Sequence, residues 1–239
     1  MIDSLLVSRH IAEYLSTLMP DLPGKLEQIY SEARANRVPV IRREAQLLLR
    51  FLCLDKEPKS VLEIGTAVGF SSCFMAEYIP ADASIVTIEK DDARYKEALC
   101  NVLEYRKDYA ERRGLEAPSI QCELSDAEAY LTALTESHRQ FDLIFLDAAK
   151  AQYPVYLSLI RSLMHKSSIL ITDNVMQEGS VAESKFTVTR RDRTIHLRMR
   201  EFTDRLFHSG EFDSVMLPLG DGMTVSRLAG SKEKRDEEA

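Results

Sequence analysis

Val61-Leu-Glu-Ile-Gly-Thr-Ala-Val-Gly-Phe-Ser71 is a short apolar run that ends on one glycine and enters a helix-forming stretch after a second. Ser60–Ile64 reads as a strand, Gly65 to Gly69 as a tight turn, and Ser71–Tyr78 as a helix. Glycine permits that turn and lets a ligand approach the main chain. The same alternation continues downstream. Ser84–Ile88 is a second strand, followed by a helix over Asp91–Arg113. Ser119–Cys122 is a third, with a helix over Ala127–Thr135. Phe141–Leu146 is a fourth, with a helix over Tyr153–Leu163, and Ser168–Thr172 is a fifth. Strands alternating with helices predict right-handed crossovers, a mainly parallel sheet and an α/β, Rossmann-like architecture with helices on both faces.

Upstream, Ile2–Leu54 carries helical periodicity. It is broken at Pro20 and Pro23-Gly24, resumed over Leu26–Ala35, interrupted by an extended link at Val38–Ile41, and resumed from Glu44. At the far end, Val188–Phe207 is an Arg-rich helix-like segment. Asp213–Pro218 and Met223–Arg227 are two strands around Gly220-Asp-Gly222, close enough to pair antiparallel at the sheet edge. The charged tail within residues 230–239 is expected to be disordered. With 239 residues and no linker-like stretch, the chain is expected to form one domain.

Composition excludes several classes. Apolar residues make up 45% of the chain, yet no run approaches a membrane span, and the N-terminus carries Asp3 and Glu13 rather than a signal peptide. Cys53, Cys73, Cys100 and Cys122 are scattered without a CxxC pair, as expected of buried free thiols in a reducing, cytoplasmic compartment. The net charge of −7 does not advertise a nucleic-acid binder.

In a parallel sheet, ligands bind beyond the carboxyl ends of the strands, so the polar residues at those ends carry the functional reading. Glu63 ends the first strand, and Ser71 opens the helix after it, placed to donate to a carboxylate. The spacing ExGxxxGxS is not the dinucleotide fingerprint GxGxxG, although the glycine turn alone does not separate an S-adenosylmethionine site from a nicotinamide site. Glu89 ends the second strand, where an acid accepts hydrogen bonds from ribose hydroxyls. Ser125-Asp126-Ala127 follows the third strand and is placed to border an adenine. Asp147 closes the fourth strand, and Asp173-Asn174 the fifth. Three oxygen ligands from neighbouring strand ends suit a hard cation such as Mg²⁺. His10, His138, His165, His196 and His208 are isolated, so zinc does not fit. Lys150, three residues after Asp147, is positioned to remove a proton if burial and a cation lower its pKa.

Together, VLEIGTAVGFSS, VTIEKD, FDLIFLDAAKAQY, ILITDNV and GDGMTVS resemble the cation-dependent class I O-methyltransferases, the family of catechol and caffeoyl-CoA O-methyltransferases. The resemblance spans roughly Val38–Leu228. It implies a seven-stranded sheet with an antiparallel last strand, a homodimer, S-adenosylmethionine and a divalent cation. It also implies a cofactor set of Ile41, Glu63, Gly65, Thr66, Ser71, Glu89, Asp126, Ala127 and Asp147. Asp147, Asp173 and Asn174 match metal ligands, Lys150 matches the general base, and Asp147 stands with Lys150 in the catalytic centre. Two features depart from the family. Val175-Met176-Gln177 stands where the plant-type members carry a Trp, and Tyr105–Ala117 is longer than is usual in the family.

The segment from Lys185 to Arg205 bears seven basic and three acidic side chains, a net +4 in an acidic chain. It is similar to the bacterial branch containing the tRNA 5-hydroxyuridine methyltransferase. Arg190, Arg191 and Arg193 are therefore candidate RNA contacts, with Arg34, Arg37, Arg42 and Arg43 as further phosphate contacts. The other readings are a catechol-like small-molecule acceptor and a non-catalytic S-adenosylmethionine-binding module.

Overall fold

The structure, a computed structural model, describes residues 9–230 except Lys185 and Thr187. The expected helical start before Arg9 and the tail from Ser231 lie outside the described residues. Helices α1 (Arg9–Thr17), α2 (Lys25–Ala35) and α3 (Arg43–Lys56) precede the sheet. Then follow β1 (Ser60–Ile64), α4 (Phe70–Tyr78), β2 (Ser84–Glu89), α5 (Asp92–Arg113), β3 (Ser119–Leu124), α6 (Ala127–Glu136), β4 (Phe141–Leu146), α7 (Tyr153–Ser162), β5 (Met164–Thr172), α8 (Arg193–His208), β6 (Phe212–Leu217) and β7 (Met223–Leu228).

The seven strands lie in the order β3-β2-β1-β4-β5-β7-β6. The first five run parallel, and β7 pairs antiparallel with both β5 and β6. Each face of the sheet has its own core. Leu26, Leu49, Phe70, Met75 and Tyr105 cover one side; Leu131, Leu157, Met199 and Phe202 cover the other. The near-continuous apolar character of β1 and β4 follows from burial on both faces.

Capping fixes where the helices start. Asp91 accepts from the Arg94 amide at 2.9 Å and begins α5, which Gly114 ends in the left-handed region at φ 69°. Glu77 of α4 is buried and bound by Arg112 and Arg113 of α5 and by the Tyr105 hydroxyl, clamping the two helices together.

Two boundaries and one burial differ from the sequence expectation. The Arg-rich helix begins at Arg193 rather than Val188, because the Thr189 hydroxyl and carbonyl both bond to Asp192 and turn the chain there. Strand β5 begins at Met164, four residues early, with an irregular register against β4. Cys100 is exposed on α5, whereas Cys53 and Cys73 are buried as expected; all four thiols are free.

Candidate active site

The parallel register aligns the strand ends. Ile64 of β1 stands opposite Ile88 of β2 and Leu146 of β4, and Leu146 stands opposite Thr172 of β5. The residues that follow these positions therefore emerge along one edge. Main-chain bonds lace this edge together. Gly65 and Thr66 both donate to the Ile88 carbonyl at 3.1 Å, Asp147 to Ile64 at 3.0 Å, and Asp173 to Leu146 at 3.1 Å. Gly65 has φ +109°, and a Cβ there would lie 2.0 Å from the Asp147 carbonyl oxygen. Its glycine is thus required by the approach of the β4 end, as well as by the turn.

Glu63 is fully buried. Its Oε2 accepts from the Ser72 hydroxyl and, at 2.6 Å, from Thr87, which in turn lies 2.6 Å from the Thr66 hydroxyl. Oε1 is buried and has no partner. Burial pushes the Glu63 carboxyl up to about 7, against the opposing effect of the nearby Ser71 hydroxyl and the hydrogen bonds of Ser72 and Thr87, and with some help from Asp147. Glu89 is satisfied differently: it accepts from the amides of Ala67, Lys90 and Asp91, each at 2.9 Å. That fixes its carboxylate in the crook of the glycine turn.

Asp126 caps α6 through the amides of Glu128 and Ala129, and Ala127 is the first residue of that helix. Ser125, just before them, is tied to the Glu89 carbonyl at 2.9 Å, so this loop abuts the edge. Ile41 is buried ahead of α3, and its carbonyl accepts from Gln46 at 2.8 Å.

Lys150 joins the second half of the edge. Its ammonium donates to Asp147 Oδ1 at 2.6 Å and to the Tyr153 hydroxyl at 2.7 Å. It lies 3.3 Å from the Asp173 carbonyl and 3.4 Å from Asn174 Oδ1. Burial alone would lower its pKa, as the sequence reading expected, but Tyr153 and Asp147 outweigh burial and hold it above the ordinary lysine value. Asp173 is 2% exposed, and burial, helped by Asp147, pushes its carboxyl up to about 7. Among the described residues no group of three or more His, Cys, Asp or Glu is placed to hold a metal ion.

Sequence reasoning missed Tyr153 and Ser72. Tyr153 is fully buried, and its hydroxyl lies 3.3 Å from the carbonyls of both Leu146 and Asp173, bridging the two acid-bearing strand ends. Its position three residues after Lys150 was the available signal. The Gly220-Asp-Gly222 turn also braces the edge. Asp221 accepts from the Glu178 amide at 2.6 Å, and the Met176 and Val175 amides donate to the carbonyls of Asp221 and Gly222. This turn holds a loop in which Asn174, Gln177 and Glu178 all adopt positive φ.

The arginines divide. Arg193, Arg198, Arg200 and Arg205 each have a protein partner. Arg190 and Arg191 are exposed on the turn before α8, which packs against Lys150–Gln152. Arg34 and Arg43 stack over Tyr30, away from this turn on the N-terminal helices. Arg37 follows α2, and Arg42 lies against Gly220.

A doubly wound sheet in this strand order, with buried acids along its carboxyl edge and an antiparallel final pair, defines a Rossmann-like methyltransferase. Comparison with known proteins agrees. A sequence profile described as O-methyltransferase matches residues 12–229. A catechol O-methyltransferase of Niastella koreensis is 30% identical over 59% of this chain and 58% of its own length. A caffeoyl-CoA O-methyltransferase of Stellaria longipes is 27% identical over 75% of this chain and 72% of its own. Among solved structures, a Staphylococcus aureus protein provisionally named a caffeoyl-CoA O-methyltransferase superposes with TM-score 0.79 at 25% identity, covering 92% of this chain and 100% of that one. The chain belongs to the O-methyltransferase family. Among the described residues no helix is long and apolar enough to cross a membrane.

Proposed function

We propose that the chain transfers a methyl group from S-adenosylmethionine to a hydroxyl oxygen with the help of a hard divalent cation such as Mg²⁺. We further propose that the acceptor is the 5-hydroxyl of 5-hydroxyuridine at the tRNA wobble position, which becomes 5-methoxyuridine. One observation carries the reading. A buried glutamate oxygen without a partner shares an edge with a set of acid and amide oxygens that has gathered a lysine ammonium.

A buried carboxylate oxygen without a donor fits a ligand ammonium such as that of the methionine moiety. Glu89, oriented by three amides, retains lone pairs for ribose hydroxyls. The chemistry of Asp147, Asp173 and Asn174, all oxygen donors, fits Mg²⁺, and these three residues would hold it. When bound, the cation supplies Lewis acidity, which makes an acceptor hydroxyl easier to ionise. Lys150 would take the hydroxyl proton at Nζ only in its neutral form, which requires burial and a bound cation to overcome the Asp147 and Tyr153 contacts that keep it charged, and Tyr153 anchors that nitrogen. Glu63 and Glu89 orient the methyl donor, which matters because in-line displacement depends on alignment. A TomG structure from Streptomyces achromogenes, which contains S-adenosylmethionine, shares the fold with TM-score 0.75 over 92% of this chain and 96% of its own, at 22% identity.

For the acceptor, the support is Arg190 and Arg191, exposed on the turn that leads into α8, the helix that packs against the Lys150 segment. Phosphate contacts position a nucleic acid, while the site reads the base. Free thiols fit a cytoplasmic enzyme. Ile11 and Tyr14 of α1, Leu18 just after it, and Phe51 and Leu54 of α3 are exposed apolar residues that fit a homodimer contact. The second reading, a catechol-like acceptor, is favoured by the activities named for the relatives.

The test is mass spectrometry of tRNA nucleosides from a deletion strain. Loss of 5-methoxyuridine with accumulation of 5-hydroxyuridine is expected. Unchanged nucleosides, with efficient methylation of a catechol by the purified protein, would select the second reading. Reversing Arg190, Arg191 and Arg193 to Glu is expected to weaken tRNA methylation and flatten its salt dependence by about one unit of slope for each phosphate that the variant no longer neutralises.

A further inference from the structure

We infer that Lys150 is a built-in competitor for the cation: its ammonium and a divalent ion are alternatives at one set of oxygens, and Tyr153 is the perch to which the lysine withdraws. This inference rests on the cation reading above. Four groups surround Nζ, and they are of two kinds. Asp147 Oδ1, Asn174 Oδ1 and the Asp173 carbonyl belong to the three residues that would hold the ion. The Tyr153 hydroxyl does not.

Two positive centres cannot share Asp147 Oδ1 and Asn174 Oδ1, because their repulsion at such separation is strong where water is scarce. The Lys150 side chain is only 15% exposed. An ion entering the site therefore has to push the ammonium out. Tyr153 gives it a place to stay, since its hydroxyl lies 2.7 Å from Nζ and its ring centroid 4.9 Å. Tyr153 itself is held by its bridge to the Leu146 and Asp173 carbonyls and by an edge contact with Phe202 of α8, so the perch does not move with the lysine. Loading the ion would thus release the Lys150 ammonium from Asp147 while Tyr153 keeps it at the site.

The competitor is tested by Mn²⁺ binding to the purified protein, followed by electron paramagnetic resonance and calorimetry without turnover. Lys150→Met keeps the stem and removes the charge. It is expected to bind Mn²⁺ about tenfold more tightly than the natural chain, equivalent to about 1.4 kcal/mol, while losing methyl transfer. A lysine that served only as a base would leave Mn²⁺ affinity unchanged, and that result, or weaker binding, overturns the inference. Lys150→Ala carries the same expectation if the methionine variant does not fold. Tyr153→Phe removes the perch and keeps the ring, so it is expected to shift affinity the other way, several-fold weaker; tighter binding there also overturns the inference. If the natural chain and Lys150→Met both fail to bind Mn²⁺, the cation reading falls and takes this inference with it.

Discussion

Two sets of buried or half-buried carboxylates in this molecule have opposite surroundings. Away from the carboxyl edge, Glu77 is met by Arg112, Arg113 and Tyr105. Asp142, where β4 begins, is met by the Ser60 amide and hydroxyl, the Lys59 amide and His165. Burial alone would raise both carboxyls, but these donors win and hold both below the usual range. On the carboxyl edge the balance is reversed. Burial wins at Glu63 and Asp173, both pushed up to about 7, and Glu63 keeps an oxygen with no partner. Glu77 and Asp142, matched by donors of the chain itself, fasten the fold. Glu63 and Asp173, buried with too little compensation to keep them in the usual range, are held for something the chain does not contain.

The largest effect expected from breaking this contrast is at Asp173. Asp173→Ala should lower kcat/KM for methyl transfer about a thousandfold or more, with the thermal midpoint nearly unchanged, because it removes a ligand-facing acid rather than a fastener. Glu77→Ala should do the reverse. Leaving two arginines without their buried partner is expected to cost about 3 kcal/mol in urea unfolding, with little change in methyl-donor affinity in the fraction that folds. The same pairing sets a pH dependence. The folded Glu77 carboxyl titrates below its unfolded value, so its contribution is present above the unfolded pKa and lost as pH falls through the folded one.

Glu63→Gln sharpens the comparison with the smallest effect and an opposite sign in stability. The folded carboxyl holds its proton up to about pH 7, whereas the unfolded one releases it near 4.5. Between these values the folded state binds more protons, so stability declines as pH rises from about 4.5 to 7 and is level beyond. The amide removes that decline. At pH 8 the variant should unfold at a higher temperature than the natural chain, by a margin that vanishes below pH 4.5. Its affinity for S-adenosylmethionine should fall about tenfold. A variant that lost stability at pH 8 would place Glu63 among the fasteners.

Much of this was legible in the residue order. The alternation from Ser60 to Thr172 predicts β1 to β5 and the helices between them, because a strand buried on both faces has to be apolar and its ends have to be polar. Asp147, Asp173 and Asn174 stand out for that reason, and parallel register then brings them to one edge. What could not be read depends on contacts between distant residues. Ser71 and Ser72 are equivalent as letters, and only the turn of α4 brings Ser72 onto Glu63 along with its neighbour. Tyr153 reads as an ordinary helix start; its role comes from two carbonyls on different strands. The early start expected for the Arg-rich helix fails because Thr189 and Asp192 close a turn ahead of Arg193, which leaves Asp192 at the position before the helix. That difference moves Arg190 and Arg191 from a helix face onto an exposed turn.

The central claim is that Glu63 and Asp173, the edge acids whose pKa burial raises, meet ligands. Its most direct test is a crystal of the protein grown with Mn²⁺ and S-adenosylhomocysteine and measured for anomalous scattering. One strong peak is predicted about 2.2 Å from oxygens of Asp147, Asp173 and Asn174, with the ligand's ammonium on Glu63 Oε1. A peak at Glu77 or Asp142, or a bound ligand that leaves Glu63 Oε1 alone, would contradict it.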